Sequence, residues 1–522
     1  YTEPDGPGGI GRDDSRLDLT EAYGFKLDYE LKGDKPVVAK IFLFGDRTAP
    51  GEFKPDRWTR SAEFTLAPGK RSIVIPFESF SGIESLLSAI SAIKSFGFRI
   101  DGDPSALRLT GAKYLHGNSV HAYSYIRSIP CEGDSEVEYE LELTNMEDVP
   151  QTVRLEIDRY GWEEMKATLS DSKVELAPNE KKIVKLKVFC PDLIPPGGKE
   201  KQTVLVRPSA NPEAVQKVEF VTLREMTRPF TLRTKEGWDE IRENVKKYDW
   251  MREAAEAAIA SARKWNPPPQ PRVMLNEGGS PCLMRTPQEW NAMNAAYAWQ
   301  LTREKEFAEK VRAYLLLLSH PERGYPYTRF AVHQWLPQEG HFMYHAAQCY
   351  DLTLDSGLYS DKDRKQIDHM FRLFADATEK GNRGPSGANW AVSNLTGGFF
   401  AAVVLQDLVR ADHMIYGPSM MMDKFRSYTM SDGWWYECTI SYNLWCGEMF
   451  TMAALAMEPF GYSLLTEKFP VNYSRFPDYL KEGTPEEERR ITRDVEHGHS
   501  FRIRGNIQQP YITVKSMAEA LL

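Results

Sequence analysis

The chain has 522 residues, several domain lengths, with 42% hydrophobic residues and a formal net charge of −9. That charge argues against nucleic acid as a partner, because phosphate binding wants a basic face, but a local basic cluster can still hold an anionic glycan. No apolar run approaches the roughly 18 residues of a membrane span, and six cysteines without a CxxC spacing speak against a zinc or thioredoxin-type site.

Residues 1–118 read as β. FKLDYELKG, VVAKIFLFG and AEFTLAPGKRSIVIPF alternate or run apolar between Gly, Pro and Asp punctuation, and LAPGKRS signals a hairpin. A jelly-roll sandwich of the kind seen in carbohydrate-binding modules fits this pattern. The chain begins at Tyr1, so the expectation is that a signal peptide has been removed and that the protein is secreted or periplasmic. Residues 119–228 give strands at short spacing, among them SEVEYELELTN and KVELAPNEKKIVKLKVFCP, as in an immunoglobulin-type sandwich. Cys131 and Cys190 fall in this region and are candidates for a disulfide; buried free thiols are the alternative.

From 229 to about 490 the apolar spacing turns helical, beginning with WDEIRENVKKYDWMREAAEAAIASARKW. NPPPQP stops that run, since Pro cannot continue a helix. Seven or more helices in series predict a bundle or an α/α toroid. Residues 491–522 look strand-like in HGHSFRIRGN and PYITVK, as the start of a C-terminal β region.

Two stretches concentrate chemistry. SGANWAVSNLTGGFFAA (386–402) opens a plain apolar helix with Asn389 and Trp390. Asn is a good N-cap, so capping is the structural reading of Asn389. DGWWYECTISYNLW (432–445) brings Trp434, Trp435, Glu437, Tyr442 and Asn443 to the start of a later helix. Trp335, Trp390, Trp434 and Trp435 lie in or near breaks between helices, where exposed indoles suit the C–H faces of sugar rings. FAVHQWLPQEGHFMYH supplies His333 and His341, with His345 one turn on. Arg329, Arg383 and Arg426 are candidates to hold a carboxylate or sulfate by forked hydrogen bonds.

The Asn-Trp helix start, the DG…E…SY segment, their 53-residue separation (442 − 389) and QCYDLTLDSG at 348–357 together resemble the heparinase II/III-like and alginate-lyase-like polysaccharide lyases. The resemblance covers roughly residues 230 to 500. It implies an incomplete α/α toroid followed by a β-sandwich, so that the expected architecture is the two N-terminal β-sandwiches read above, then the toroid, then the start of a C-terminal β-sandwich. It also implies an acidic polysaccharide substrate, with glycosaminoglycan ahead of alginate and ulvan, and carries the uronate-contacting amide to Asn389 and the catalytic phenol to Tyr442. Many members have Asn-His and Tyr-His where this chain has Asn389-Trp390 and Tyr442-Asn443, which leaves the base open between Tyr442, His341 and His333. His497 and His499 are candidates for a further family residue.

The chemistry asks for such groups. A lyase removes the C5 proton of a uronic acid and expels the oxygen at C4. A neutral donor aimed at the carboxylate lets the developing charge spread onto oxygen, and losing one such donor costs about 3 kcal/mol. Asn389 donates without titrating. Trp390, Trp434, Trp435, Glu437, Asn443, Arg329 and Trp335 are then substrate-binding candidates. Such an elimination requires no cofactor, and a structural divalent metal stays open. Two other classes stand beside it. A glycoside hydrolase on a similar barrel would use a carboxylate pair about 5–10 Å apart, with Asp432, Glu437 and Glu448 available. A non-catalytic glycan-binding protein would use the aromatic cleft alone.

Overall fold

The computed structural model describes residues 19, 22–44, 60–81, 93, 95–268, 273–275, 281–283, 288–321, 337–381, 389–417, 420–430, 433–437, 439–470 and 511–520. Two compact units meet in the chain at Glu225 and Met226. The first is β-rich and the second largely helical.

The first unit holds two pairs of antiparallel sheets. In the first pair, β1 (Ala22–Leu31), β2 (Val37–Phe44), β3 (Arg60–Leu66), β4 (Gly69–Pro76), β5 (Ser95–Ile100) and β6 (Leu107–His116) form the orders β4-β1-β6 and β3-β2-β5. Alternation in β1 sends Phe25 and Leu27 inward, and Phe25 meets the edges of Phe77 and Phe96 at 5.0 and 5.1 Å.

The second pair contains β7 (Val120–Tyr123), β8 (Ser128–Cys131), β9 (Ser135–Asn145), β10 (Gln151–Asp158), β11 (Lys166–Leu169), β12 (Lys173–Leu176), β13 (Lys181–Cys190), β14 (Lys199–Pro208) and β15 (Gln216–Arg224). Their orders are β12-β10-β14-β15-β8 and β11-β13-β9-β7, antiparallel except for the parallel β15–β8 pair. β9 and β13 show the period-2 rule plainly. Tyr139, Leu141, Leu143, Val184, Leu186 and Val188 enter the core, while Lys185 and Lys187 pair with Glu138 and Glu136 outside. Cys131 and Cys190 are free, buried thiols, so the disulfide considered for them is not formed. Both belong to the same apolar core, and burial pushes the Cys131 thiol well up.

The second unit carries α1 (Lys235–Lys247), α2 (Asp249–Lys264), α3 (Gln288–Thr302), α4 (Lys305–Leu318), α5 (Pro337–Leu354), α6 (Asp361–Gly381), α7 (Asn389–Val404), α8 (Leu408–Tyr416), α9 (Met421–Tyr428), α10 (Ile440–Met457) and α11 (Val514–Glu519). Short strands β16 (Val273–Leu275) and β17 (Pro281–Leu283) pair with each other, as do β18 (Phe469–Pro470) and β19 (Tyr511–Ile512). The strand-like reading of PYITVK holds only for β19. Thr513 closes a capping box with Ser516 and turns 514–519 into helix α11, where Met517 is buried.

Contacts fix the helix directions. Trp290 at the start of α3 touches His341 near the start of α5, and Gln300 near the end of α3 donates to the Leu352 carbonyl near the end of α5. These two helices are therefore parallel. Gly340 meets Ser393 near the starts of α5 and α7, while Arg228 joins Asp351 of α5 to the Val404 carbonyl that ends α7. So α5 and α7 are parallel too. α4 and α6 form a second layer, joined by Arg312 to Asp363 and by Gln366 to the Leu316 carbonyl. From α3 to α7 the chain alternates between the layers.

α7 is apolar on every side and buried along its length except at Trp390, as expected of a helix enclosed by others. Any side chain at Gly340 would collide with the Ser393 carbonyl, and one at Gly397 would press on the Gly340 carbonyl. Glycine is required at both positions because the two backbones touch.

Asp351 is the principal buried anion at the entry to this unit. Its carboxylate accepts from Arg228 Nη1 at 2.9 Å, the Phe230 and Thr231 amides at 2.8 Å each, and Thr231 Oγ1 at 2.9 Å. The QCYDLTLDSG stretch thus serves the architecture by pinning segment 228–231 to α5.

Candidate functional site

The starts of α3, α5, α7 and α10 are tied to one another. Glu437, in the loop before α10, accepts through Oε2 from the Asn389 backbone N–H at 3.3 Å and from Trp435 Nε1 at 2.8 Å. A carboxylate at a helix N-terminus is favoured by the partial positive charge there. Thr439 caps α10 by accepting from the Tyr442 N–H. His341 lies 6.5 Å, ring to ring, from Trp445 on α10 and 5.8 Å from Trp290 on α3.

Asn389 is the first residue of α7, one past the cap position, and is 4% exposed. Trp390 beside it is 45% exposed, Tyr442 is 37% exposed and Trp290 is 55% exposed. Each of these aromatics belongs to the first turn of its helix. Trp290 is not singled out by sequence because it sits inside a helical pattern; its place just after Pro287, like that of Trp390 after Pro385, is the signal that could have found it.

Several expectations need correction. Trp435 is 0% exposed and cannot offer a sugar platform. The loop folds back so that Thr429 and Trp435 bridge, and the indole packs near Tyr428, Tyr436 and Phe450. Asn443 is fully buried, and its Oδ1 accepts the Trp435 backbone N–H at 2.6 Å, so it holds the loop instead of touching substrate. Glu437 is engaged in fastening α7 to that loop. Trp434 is partly exposed, and its carbonyl accepts from the Met430 amide at 2.8 Å. Gly433 makes the turn at φ +89°, where a side chain would also meet the Ser516 carbonyl. His333, Arg329 and Trp335 lie outside the described residues, as do Arg383, Asp432, His497 and His499. Arg426 pairs with Asp423 on its own helix.

The two histidines of α5 differ. His345 is buried among His341, Trp290 and Tyr344, with ring centroids at 4.4, 4.6 and 4.8 Å. Its Nδ1 donates to the His341 carbonyl at 2.8 Å, and burial lowers its pKa to about 3. It is a neutral, oriented ring at any ordinary pH. His341 is more open, and burial lowers its pKa as well. At neutral pH it is therefore an unprotonated imidazole able to accept a proton. Two carboxyls belong to the same helices: Glu289, next to Trp290, and Glu448 on α10, both pushed up by burial. Among the described residues, Asn443 Nδ2, Trp445 Nε1, Asn394 Oδ1 and Glu289 Oε2 are buried without a hydrogen-bond partner, as are further side-chain atoms elsewhere in both units. No group of three metal-ligating side chains occurs among the described residues, and no helix among them is long and apolar enough to cross a membrane.

The chain matches no protein-family model and no curated protein. Its similarities are to solved structures, and those described next cover about a fifth of its length. A FixG-related protein from Vibrio parahaemolyticus shares 13% identity at a TM-score of 0.17, covering 21% of this chain and 99% of that one. The PapD-like domain of human CEP192 shares 18% at 0.16, covering 21% and 84%. A family 123 glycoside hydrolase from Clostridium perfringens shares 10% at 0.17, covering 22% and 29%. Likenesses this distant carry no argument about activity.

Proposed function

We propose that the helical unit is the catalytic part of a polysaccharide lyase, built as an incomplete α/α toroid and acting on a uronic-acid-containing polysaccharide outside the cytoplasm. The observation that carries this reading is the set of exposed aromatics, Trp290, Trp390 and Tyr442, on the first turns of helices whose starts are joined through His341, Trp445, Glu437 and Asn389. Such rings suit the faces of successive sugar units. In this reading the Asn389 amide donates to the uronate carboxylate and spreads the charge that develops when C5 loses its proton. Neutral His341 accepts that proton. The Tyr442 phenol protonates the departing C4 oxygen, and a C4=C5 double bond remains. Glu437 and Trp435 hold Asn389 in position.

The test is ultraviolet absorbance during incubation with glycosaminoglycans, alginate and ulvan. Tyr442→Phe is expected to remove the absorbance rise with the fold intact, and Asn389→Ala to lower turnover by about a hundredfold or more. Nearly full activity in Tyr442→Phe would remove that residue from the mechanism. A hydrolase reading draws on the raised carboxyls of Glu289 and Glu448; it predicts new reducing ends without the absorbance rise.

A further inference from the structure

Cys131 ends β8 and Cys190 ends β13. The two strands belong to opposite sheets of the second pair. Both thiols are free and buried, and both belong to the apolar core between those sheets. They lie within hydrogen-bonding reach of each other. The Cys131 thiol also donates to the Leu223 carbonyl at 3.4 Å.

Polar ties hold the two chain segments together independently of sulfur. The Asp192 N–H donates to Asp134 Oδ1 at 2.9 Å. Arg224, the neighbour of Cys131 in the parallel β15–β8 register, reaches Asp192 at 3.1 Å. A side chain at Gly133 would collide with Asp192 and with the Arg224 guanidinium. Segment 131–134 therefore lies against 190–192 whatever the state of the cysteines.

β8 is a four-residue edge strand with β15 as its one neighbour in the sheet. Fraying of so short an edge opens the core at Cys131. In the closed fold, burial and the adjacent Cys190 thiol keep the proton on Cys131, and the thiolate is the attacking species. Oxidation then proceeds from the frayed form, or before the two sheets close.

We propose that Cys131 and Cys190 form a redox modification site, in which a disulfide oxidant links them and ties edge strand β8 to the opposite sheet. One sulfur attacks the oxidant's S–S bond and expels one half of it. The second sulfur attacks the resulting mixed disulfide and expels the other half. One S–S bond forms as one breaks, two electrons pass from the chain to the oxidant, and the two protons leave on its two thiols. The new bond spans 59 residues (190 − 131), long enough to restrict the unfolded chain strongly. The site is independent of the polysaccharide reading and stands if that reading fails.

The test exposes the full chain, native and after refolding from urea, to glutathione disulfide, with reduced glutathione as the control. Peptide mapping without reductant is expected to find a 131–190 link, with two hydrogens lost per chain and no glutathione retained. Hydrogen exchange of the β8 amides should slow about tenfold or more in the linked chain. Cys190→Ala should remove the link and the slowing, and leave Cys131 at the mixed disulfide. Free thiols at both positions after refolding in glutathione disulfide, a link from either to another cysteine, or unchanged β8 exchange once linked would each overturn the proposal. If Cys190→Ala does not fold, the mapping and the exchange of the unaltered chain decide it alone.

Discussion

Replacing Asp351 with alanine removes four hydrogen bonds from one fully buried carboxylate. Arg228, whose side chain is largely buried, is left with the Val404 carbonyl. The backbone amides of Phe230 and Thr231 lose their acceptor. Breaking a buried ion pair by deleting one partner costs about 3–5 kcal/mol, most of it from the uncompensated charge. Taking about 4 kcal/mol and a urea slope of about 3 kcal/mol per molar, the midpoint of the helical transition should fall by about 1.3 M. Far-ultraviolet circular dichroism follows this transition, and the β-rich unit should unfold where it did before. A companion variant, Asp351→Ala with Arg228→Met, should recover part of the loss, because no charge is then stranded, but not the part due to the two amides. A shift below about 0.3 M for Asp351→Ala, equivalent to about 1 kcal/mol on that slope, would refute the claim that this anion anchors segment 228–231.

Acid should weaken the helical unit through His345. Its pKa falls from the usual 6.5 to about 3 on folding, so its contribution is complete above pH 6.5 and is lost as pH drops toward 3. The full span is on the order of 4–5 kcal/mol, and His345→Gln should flatten urea midpoints over pH 4–6.5 relative to wild type; an unchanged slope would count against this assignment. Gly340→Ala should destabilise by about 1–3 kcal/mol or more through overpacking, read as a lower thermal midpoint, and a neutral result would mean that α5 and α7 have room between them. Asn443→Ala should cost about 1–3 kcal/mol by stranding the Trp435 amide, read as a lower thermal midpoint, and leave the KM of any activity found in the ultraviolet assay unchanged; a selective rise in that KM would count against a purely fastening role.

The division into β-rich and helical parts was legible because each rests on local periodicity. SEVEYELELTN is β9, with alternate residues buried as its pattern requires. The start of α7 at Asn389 followed from the Gly and Pro breaks ahead of it. Exposure in the 433–437 loop was not legible. Asp432-Gly433 reads as a surface turn, but pairing with Thr429 folds Trp435 inward, and that contact depends on where α10 lies. The same long-range packing turned Asn443 from a candidate sugar contact into a loop fastener. Residues 514–519 misled for a different reason: Tyr511 and Ile512 are good strand formers, and the capping box at Thr513 ends their influence within one residue.

The bare contact between Gly340 and Gly397 has a mechanical consequence. Side chains act as lubricant between helices, and at this crossing point there is none to re-pack, so α5 cannot slide past α7 there without backbone collision. Any rearrangement inside the helical unit is therefore expected to carry α5 and α7 together as one rigid pair.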